Sequence, residues 1–401
     1  MVGSCKASRR AACDSLALQA VQLPPRQPMS SHIHSEVHGH AGQITLHRTR
    51  ALNALSLPMI RDLTVALQAW RDEPAVQLVS IRGMRRNSVT GGDEPFGAFC
   101  AGGDIRFFHQ AALAGNPELE DFFTEEYRLN HLLHHYQKPV VAFMDGVVMG
   151  GGMGIAQGAR VRIATARTKM AMPETQIGLF PDVGGGYFLS RCPGYLGEYL
   201  ALTGQVLDGP QAVLAGLADG VLASDRLDDL WQALATQRFD NPDAVPAWVA
   251  QHYAEPARTA IAPASQIDRF FSLGTVAAIV HALEAAQQAD SWARNTATAL
   301  RQRSPLLLHV ALEQIRRARG MGLADDLRME RDLVRHCFHP AHLARCGAAT
   351  DTVEGIRALA VDKDHAPRWN PARIEDVTHD MVKAFFHSPW PVHAHPLRDL
   401  Q

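Results

Sequence analysis

Cysteine is scarce in this sequence, and long apolar runs are missing. Six cysteines are spread over 401 residues without a C-x-x-C pair or a regular framework. Such usage is typical of free thiols in a reducing compartment, which favours a cytoplasmic protein. No apolar run approaches the ~20 residues that a membrane-spanning helix needs, so we expect no membrane partner.

An excess of charge of either sign is also missing. The chain has 39 Lys and Arg against 41 Asp and Glu, a formal net charge of −2. This balance gives no reason to expect nucleic acid as a partner. Hydrophobic residues make up 46% and charged residues 20% of the chain, which is typical of a globular protein with one large core or two ordinary ones.

Several enzyme motifs are absent as well. The sequence has no G-x-S-x-G nucleophile turn, no G-x-x-x-x-G-K-[ST] phosphate loop and no H-E-x-x-H metal motif. Glycine clusters at 150–154 and 184–186 lack the G-x-G-x-x-G spacing of a dinucleotide site. We therefore expect no metal and no nicotinamide. The chemistry that remains is that of backbone amides and carboxylates.

The first thirty or so residues differ from the rest of the chain. They contain Lys6, Arg9, Arg10 and Arg26 but a single acid, Asp14. Mitochondrial transit peptides are Arg-rich and poor in acids, so the mitochondrial matrix is an alternative to the cytoplasm. We predict that residues 1–33 form a disordered extension.

Strand-like and helix-like patterns alternate through about residue 220. Val140 to Met144 is a short apolar run typical of a buried strand, and Arg160 to Thr165 alternates like another. Beyond this part the pattern is helical, with few strand signals. We predict an α/β core over residues 34–235 and a helical C-terminal region over residues 236–401.

Two glycine clusters follow predicted strands. Gly102-Gly103 lies in AFCAGGDI and Gly150 to Gly152 in VVMGGGMG. Backbone N–H groups at such a turn or helix start favour negative charge, and two that converge on one oxygen form an oxyanion hole. For either cluster alone, close packing or a tight turn explains the glycines as well.

Two acids, Glu174 and Asp182, lie eight residues apart in a loop rich in proline and glycine. Neighbouring carboxyls can divide into acid and base because burial and repulsion separate their pKa values. Asp182 also precedes a glycine-rich helix start, so it is a candidate helix N-cap. Four histidines at 32, 34, 38 and 40 could hold a metal, but they fit a solvated strand edge better.

At these residues the chain resembles the enoyl-CoA hydratase/isomerase (crotonase) superfamily. AFCAGGDI and VVMGGGMG look like its two oxyanion-hole motifs, and PETQIGLFPDVGGGYFLSR is similar to a branch that hydrolyses short 3-hydroxyacyl-CoA thioesters. The likeness extends from about Gly42 into the C-terminal region, with EEYRLN (Glu125 to Asn130) and VEGIRALAVDKDHAPRW (Val353 to Trp369). It implies a crotonase-type spiral of ββα units that binds acyl-CoA, with CoA arriving as part of the substrate, and a possible homo-oligomer.

The resemblance also implies roles for individual residues. Gly103 and Gly151 would donate the oxyanion hydrogen bonds, and Glu126 would lie near the substrate. Glu174 would act as nucleophile or general base. Asp182 would orient the reacting groups or donate a proton to them.

One position departs from the hydratases of this family. They carry a first catalytic glutamate where this chain has Gly154. This difference favours thioester hydrolysis over hydration. Double-bond isomerisation or hydration, and a non-catalytic acyl-CoA-binding role, are the alternatives. The loop at 84–97 is longer than is usual in the family, so the acyl-CoA entrance should differ in shape.

Overall fold

A computed structural model describes residues 30–85, 97–255 and 259–401. Ordered backbone begins before the predicted boundary at residue 33, since the Ser30 N–H donates to Asp62 and Ile33 is buried in the first strand. The strands are Ile33–His38 (β1), Ala41–Leu46 (β2), Leu78–Gly83 (β3), Ala98–Cys100 (β4), Val140–Met144 (β5), Val147–Met149 (β6), Val161–Thr165 (β7), Lys169–Ala171 (β8) and Gly220–Leu222 (β9).

The strands form two sheets that share the turns of one spiral. The larger sheet has the order β1-β2-β3-β5-β7-β9 and is parallel except for the antiparallel β1–β2 pair. The smaller sheet is parallel, with the order β4-β6-β8. The three successive pairs β3–β4, β5–β6 and β7–β8 therefore each give one strand to each sheet. This arrangement confirms the predicted spiral of ββα units.

The helices alternate with these strands and then continue without them in the described part of the C-terminal half. Their bounds are Leu57–Arg71 (α1), Ile105–Ala114 (α2), Glu118–His134 (α3), Gly151–Gln157 (α4), Gly185–Leu189 (α5), Leu196–Thr203 (α6), Gly209–Leu214 (α7), Leu227–Thr236 (α8), Ala244–Ala250 (α9), Ala264–Phe271 (α10), Val276–Ala286 (α11), Ser291–Arg301 (α12), Pro305–Ala318 (α13), Leu323–Phe338 (α14), Asp351–Ile356 (α15) and His379–Lys383 (α16).

Helix α3 shows why the local sequence folds as it does. Three acids in its first turn face the positive end of the helix dipole, and His131 and His134 lie in its last turn. Its apolar side chains recur at helical spacing and are buried, as with Phe122 and Leu133. The same buried face carries Glu126, a charged residue in an apolar stripe.

The C-terminal helices belong to the main hydrophobic core. One continuous cluster of buried side chains extends from Ile33 to Leu400 and includes α3, the spiral and α13 to α15. A second, smaller cluster lies on the opposite face of the large sheet, where Trp231 of α8 packs against Phe143. The helical region is therefore an integral layer of the same body.

Several expectations concern residues beyond the described ranges. Positions 1–29 and 86–96 lie outside them, and so do most of the predicted extension and most of the long loop. The histidine cluster lies on and beside β1, the edge strand of the large sheet. Over the described ranges, no group of three His, Cys, Asp or Glu side chains is arranged to hold a metal, and no helix is long and apolar enough to cross a membrane.

Candidate active site

A cavity of about 200 Å³ lies beside the small sheet, between α2, α3, the start of α4 and Leu359 of the C-terminal region. Its polar wall contains both glycine clusters and three acids, and its apolar wall comes from side chains such as Phe108, Phe123 and Leu359. The acids are Glu126, Glu174 and Asp182. The structure thus brings together all the residues that the sequence singled out for chemistry.

The two glycine clusters approach each other across the small sheet. A Cβ on Gly102 would lie 3.7 Å from the backbone nitrogen of Gly151. Gly103 pairs with Leu55, which donates its N–H to Gly102 O at 2.7 Å and accepts from Asp104 N at 3.0 Å. Because backbone groups alternate in direction along a strand, the N–H of Gly103 itself points away from Leu55.

The N–H of Gly151 also has no acceptor among the described residues, but the reason is its place at the start of a helix. Gly151 is the first residue of α4, and the first N–H groups of a helix have no intrahelical acceptor. In the described part of the chain, neither Gly103 nor Gly151 donates its N–H to another protein group. Two free donors therefore border one cavity, which is the arrangement an oxyanion hole requires.

The glycines are also needed because carboxylates lie against them. Gly150 has φ +47°, and a Cβ there would approach Glu174 Oε1 to 3.0 Å. A Cβ on Gly151 would collide with Glu126 Oε1. Side chains at these positions would displace the acids, so the glycines do more here than allow a tight turn.

All three acids are almost fully buried. Glu126 is 2%, Glu174 6% and Asp182 5% exposed. Oε1 of Glu126 and Oε2 of Glu174 have no hydrogen-bond partner among the described residues. Buried polar atoms are normally paired, so these oxygens are available to a ligand.

Burial raises the pKa of each of the three carboxyls. Desolvation is the main cause, and it raises the pKa of Asp182 to about 7. The charge of Asp182 further raises the pKa of Glu174, and the charges of Asp182 and Glu174 both raise that of Glu126. Glu126 and Glu174 are thus held towards their protonated forms by burial and by the charges of their neighbours.

The hydroxyl of Tyr127 donates a hydrogen bond of 2.9 Å to Asp182 Oδ2. This bond opposes the rise in the Asp182 pKa because it stabilises the carboxylate. Tyr127 directly follows Glu126 on α3, so one helical turn supplies both an acid and the support for another. Sequence reasoning missed Tyr127, although it lies inside the EEYRLN motif.

The interpretation of Asp182 as a helix N-cap is wrong. Helix α5 begins at Gly185, and its cap residue, Gly184, makes no side-chain capping bond. The free N–H groups at this end go to the C-terminal region instead. Glu330 accepts from Gly184 at 2.7 Å and from Gly186 at 2.9 Å, and Asp326 accepts from Tyr187 at 2.8 Å.

Comparison with known proteins identifies the family. The model of the enoyl-CoA hydratase/isomerase family matches residues 41–386. The chain belongs to this family. It is 40% identical to 3-hydroxyisobutyryl-CoA hydrolase 1 of Arabidopsis thaliana over 86% of this chain and 88% of that protein. It is 39% identical to the mitochondrial 3-hydroxyisobutyryl-CoA hydrolase of Xenopus tropicalis over 87% of each chain.

Family members of known structure have the same fold. A carnitinyl-CoA dehydratase from Mycobacterium thermoresistibile superposes with a TM-score of 0.79 at 37% identity, covering 93% of this chain and 100% of its own. Not every relative is named as an enzyme. The small ribosomal subunit protein mS47 of Arabidopsis thaliana is 36% identical over 85% of this chain and 81% of its own length.

Gly154, the position at which the family's hydratases carry their first glutamate, is not among the residues that line this cavity. A Cβ on Gly154 would contact Asn130 Nδ2 and Val183 Cβ, each at 2.7 Å. There is no room for a longer side chain unless these neighbours move. Among the family's chemistries, this site is therefore built around Glu126, Glu174 and Asp182.

Proposed function

We propose that this protein hydrolyses 3-hydroxyisobutyryl-CoA, or a similar short 3-hydroxyacyl-CoA, to the free hydroxy acid and CoA, as in valine catabolism. The observation that carries the proposal is the grouping of three buried carboxyls beside two free backbone N–H groups. The names of the curated relatives, at 37–40% identity over most of the chain, support the same reaction.

Each part of the site has a task in this reaction. The N–H groups of Gly103 and Gly151 would bind the thioester oxygen as it gains negative charge, and loss of one such donor costs roughly 3–4 kcal/mol in a studied protease. Glu174, once ionised, attacks the carbonyl carbon or removes a proton from an attacking water. The C–S bond breaks and CoA leaves as thiolate, which takes up a proton. Asp182, which accepts a hydrogen bond from Tyr127, orients the reacting groups or donates a proton to them.

Glu126 suits recognition of the substrate hydroxyl. Burial and the charges of Asp182 and Glu174 raise the pKa of its carboxyl well above the ordinary value, and its Oε1 has no partner in the described chain. A site that hydrogen-bonds a hydroxyl rejects an analogue without it by a large factor, since a buried polar group is then left unpaired. The protein should therefore prefer 3-hydroxyacyl esters over plain acyl esters.

The direct test is thiol release from a panel of CoA esters. We expect 3-hydroxyisobutyryl-CoA and 3-hydroxypropionyl-CoA to be cleaved much faster than isobutyryl-CoA, and crotonyl-CoA to be hydrated slowly or not at all. Equal rates on the three thioesters would contradict the proposed substrate class. Rapid loss of the enoyl absorbance of crotonyl-CoA would favour a hydratase.

An ¹⁸O-labelling experiment distinguishes the two possible roles of Glu174, nucleophile and general base. If Glu174 attacks directly and water in H₂¹⁸O then opens the resulting anhydride at the Glu174 carbonyl, ¹⁸O enters the Glu174 carboxyl over many turnovers. If Glu174 activates water, the label appears only in the product acid. Mass spectrometry of the peptide that contains Glu174 reads the difference.

A non-catalytic role is the second candidate, because one relative is named as a ribosomal protein. An acyl-CoA binder needs neither a buried Glu174 nor a buried Asp182, and this chain has both. Binding of the esters without thiol release from any of them would favour the second candidate.

We also propose that the reaction needs no cofactor beyond the CoA of its substrate. Location is proposed as cytoplasmic, with the mitochondrial matrix as the alternative, since the animal relatives are named mitochondrial. The location can be tested by fusing residues 1–33 to a fluorescent protein in a eukaryotic cell. Fluorescence in the mitochondrial matrix would contradict the cytoplasmic proposal.

A further inference from the structure

A second cavity, of about 220 Å³, lies behind the first. Val183 lines both cavities, and the second also contains Asn130, Gly154, His134, Tyr187 and Arg191. For comparison, a cavity of about 150 Å³ in another protein holds a benzene molecule. The space is thus sufficient for a small organic molecule.

Among the residues that line the second cavity, Asn130 most clearly indicates that a ligand binds there. Its side chain lines the second cavity and is 3% exposed, yet neither its amide nitrogen nor its amide oxygen has a partner among the described residues. A buried amide left unpaired costs free energy, so a hydrogen-bonding ligand would stabilise it. Asn130 lies one turn after Glu126 on α3, which makes it part of the same helix face.

The charge of the cavity wall is positive. Arg191 donates to the carbonyls of Tyr187 and Met321 at 2.7 and 2.9 Å and forms no salt bridge within the described chain. It influences the titration of Asp326 without reaching salt-bridge distance. Arg162, also in the wall, is already paired with Asp219 at 2.6 Å. No acid lines this cavity in the described residues, so the exposed guanidinium of Arg191 has no carboxylate in salt-bridge contact there.

The wall shared by the two cavities is held in an unusual conformation. Val183 has φ +58°, a region that β-branched residues rarely occupy. It directly follows Asp182, and its side chain packs where a Cβ on Gly154 would lie. Strained backbone of this kind concentrates at functional sites. A change of the Val183 side chain or backbone would therefore act on both cavities.

We propose that the second cavity is a binding site for a small organic carboxylate, recognised by Arg191 and the amide of Asn130. Under the proposed function, on which this identification rests, the ligand is the hydroxy acid released on the other side of Val183. The carboxylate would take up the free charge of Arg191, and Asn130 would hydrogen-bond the carboxylate or the hydroxyl.

The test separates this site from the first cavity. The first cavity is filled with a non-hydrolysable thioether analogue of 3-hydroxyisobutyryl-CoA, and 3-hydroxyisobutyrate is then titrated by calorimetry. We expect one further equivalent to bind. The neutral 3-hydroxyisobutyramide, which has nearly the same shape, should not bind. Arg191→Gln should weaken binding of the acid by roughly tenfold or more, the loss expected for a hydrogen bond to a charged group.

Two controls keep the result interpretable. Arg71→Gln removes an exposed arginine at the end of α1 that lines neither cavity, and it should leave the affinity unchanged. Arg191→Lys keeps the charge and should keep measurable binding. Equal affinity in wild type and Arg191→Gln, equal binding of the amide, or equal binding of inorganic phosphate would overturn the proposal. Failure of the analogue to bind, with Arg191-dependent binding of the acid intact, would count against the proposed function and not against this site.

Discussion

At the scale of single residues, the site combines acids whose environment opposes their charge. Asp182 has an ordinary pKa of 3.8 and a pKa of about 7 in the folded protein, chiefly because burial disfavours its ionised form. Where Asp182 acts as a carboxylate that orients the reacting groups, activity should rise with pH through this range. Because the ionised form of Asp182 is buried, its charge also lowers the free energy of unfolding.

Asp182→Asn should lower kcat by a factor similar to or somewhat smaller than that of Glu174→Gln, and it should stabilise the protein at alkaline pH. The unfolded chain ionises Asp182 near pH 4 and the folded protein near pH 7, so this carboxyl progressively destabilises the wild type as pH rises between them. At pH 8 the variant should melt higher, by roughly 1 °C per kcal/mol of removed penalty, because the unfolding entropy grows with chain length. At pH 4 the two proteins should melt alike. A variant that melts lower at pH 8 would contradict the assignment.

Glu174→Gln should lower kcat by about 100-fold or more, the range for a lost general base, with little change in KM. The double variant with Asp182→Asn should be little worse than the worse single one, since residues that act together are not additive. Near-normal kcat in Glu174→Gln would remove the central residue of the proposed mechanism.

Tyr127→Phe should shift the acid limb of the pH–rate profile to higher pH. The phenol hydrogen bond lowers the pKa of Asp182, so its loss raises that pKa further. Tyr136→Phe is the matched control, because its hydroxyl donates to Leu67 O away from the cavity. Both variants lose one hydrogen bond, and only Tyr127→Phe should move the profile. An unchanged profile would show that Tyr127 has a packing role alone.

At the scale of elements, helix α14 supports the loop that carries Asp182. Glu330 is fully buried and accepts three hydrogen bonds, from Gly184, Gly186 and the amide of Gln314 at 3.0 Å. A carboxyl of the C-terminal region thus occupies the N-terminus of α5 in the place of a local cap. It acts on the proposed chemistry through Asp182 and is a positioning residue.

Glu330→Gln should lower kcat more than it changes KM and should also lower the melting temperature. The amide of glutamine would turn an NH₂ group towards a backbone N–H, so one donor at the start of α5 loses its acceptor, a cost of about 1–3 kcal/mol. Glu313→Gln, on the neighbouring α13, removes only an exposed pair with Arg317 and should change neither quantity. Loss of stability with a normal pH–rate profile and normal kcat would limit Glu330 to a structural role.

At the scale of the whole molecule, the spiral and the C-terminal helices share one hydrophobic core. Leu359, in a π-helical turn that continues α15, completes the wall of the first cavity. The division into residues 34–235 and 236–401 therefore separates two patterns of secondary structure within one body. It gives no reason to expect that either part folds alone.

We expect a single cooperative thermal transition. Calorimetry, near-ultraviolet circular dichroism and loss of thiol release should give coincident midpoints, as for a protein with one core. Two resolved transitions, with activity lost in the first, would show that the C-terminal helices unfold from an intact spiral.

The sequence by itself determined the local features of this protein. The strands and helices follow from periodicity, and the glycines before α4 and after β4 follow from the conformations and close approaches they permit. These features depend on residues within a few positions of each other. The family motifs extended this prediction to Gly103, Gly151, Glu126, Glu174 and Asp182, and the structure places them at one cavity.

Only the tertiary structure decided which groups meet and how deeply they are buried. Asp182 looked like a local helix cap, but Glu330, 144 residues after Gly186, occupies that helix end. Tyr127 reaches Asp182 across 55 residues of sequence. Burial, and with it the pKa of each acid, depends on side chains from the whole chain, because desolvation is a property of the surrounding volume and not of the neighbouring sequence.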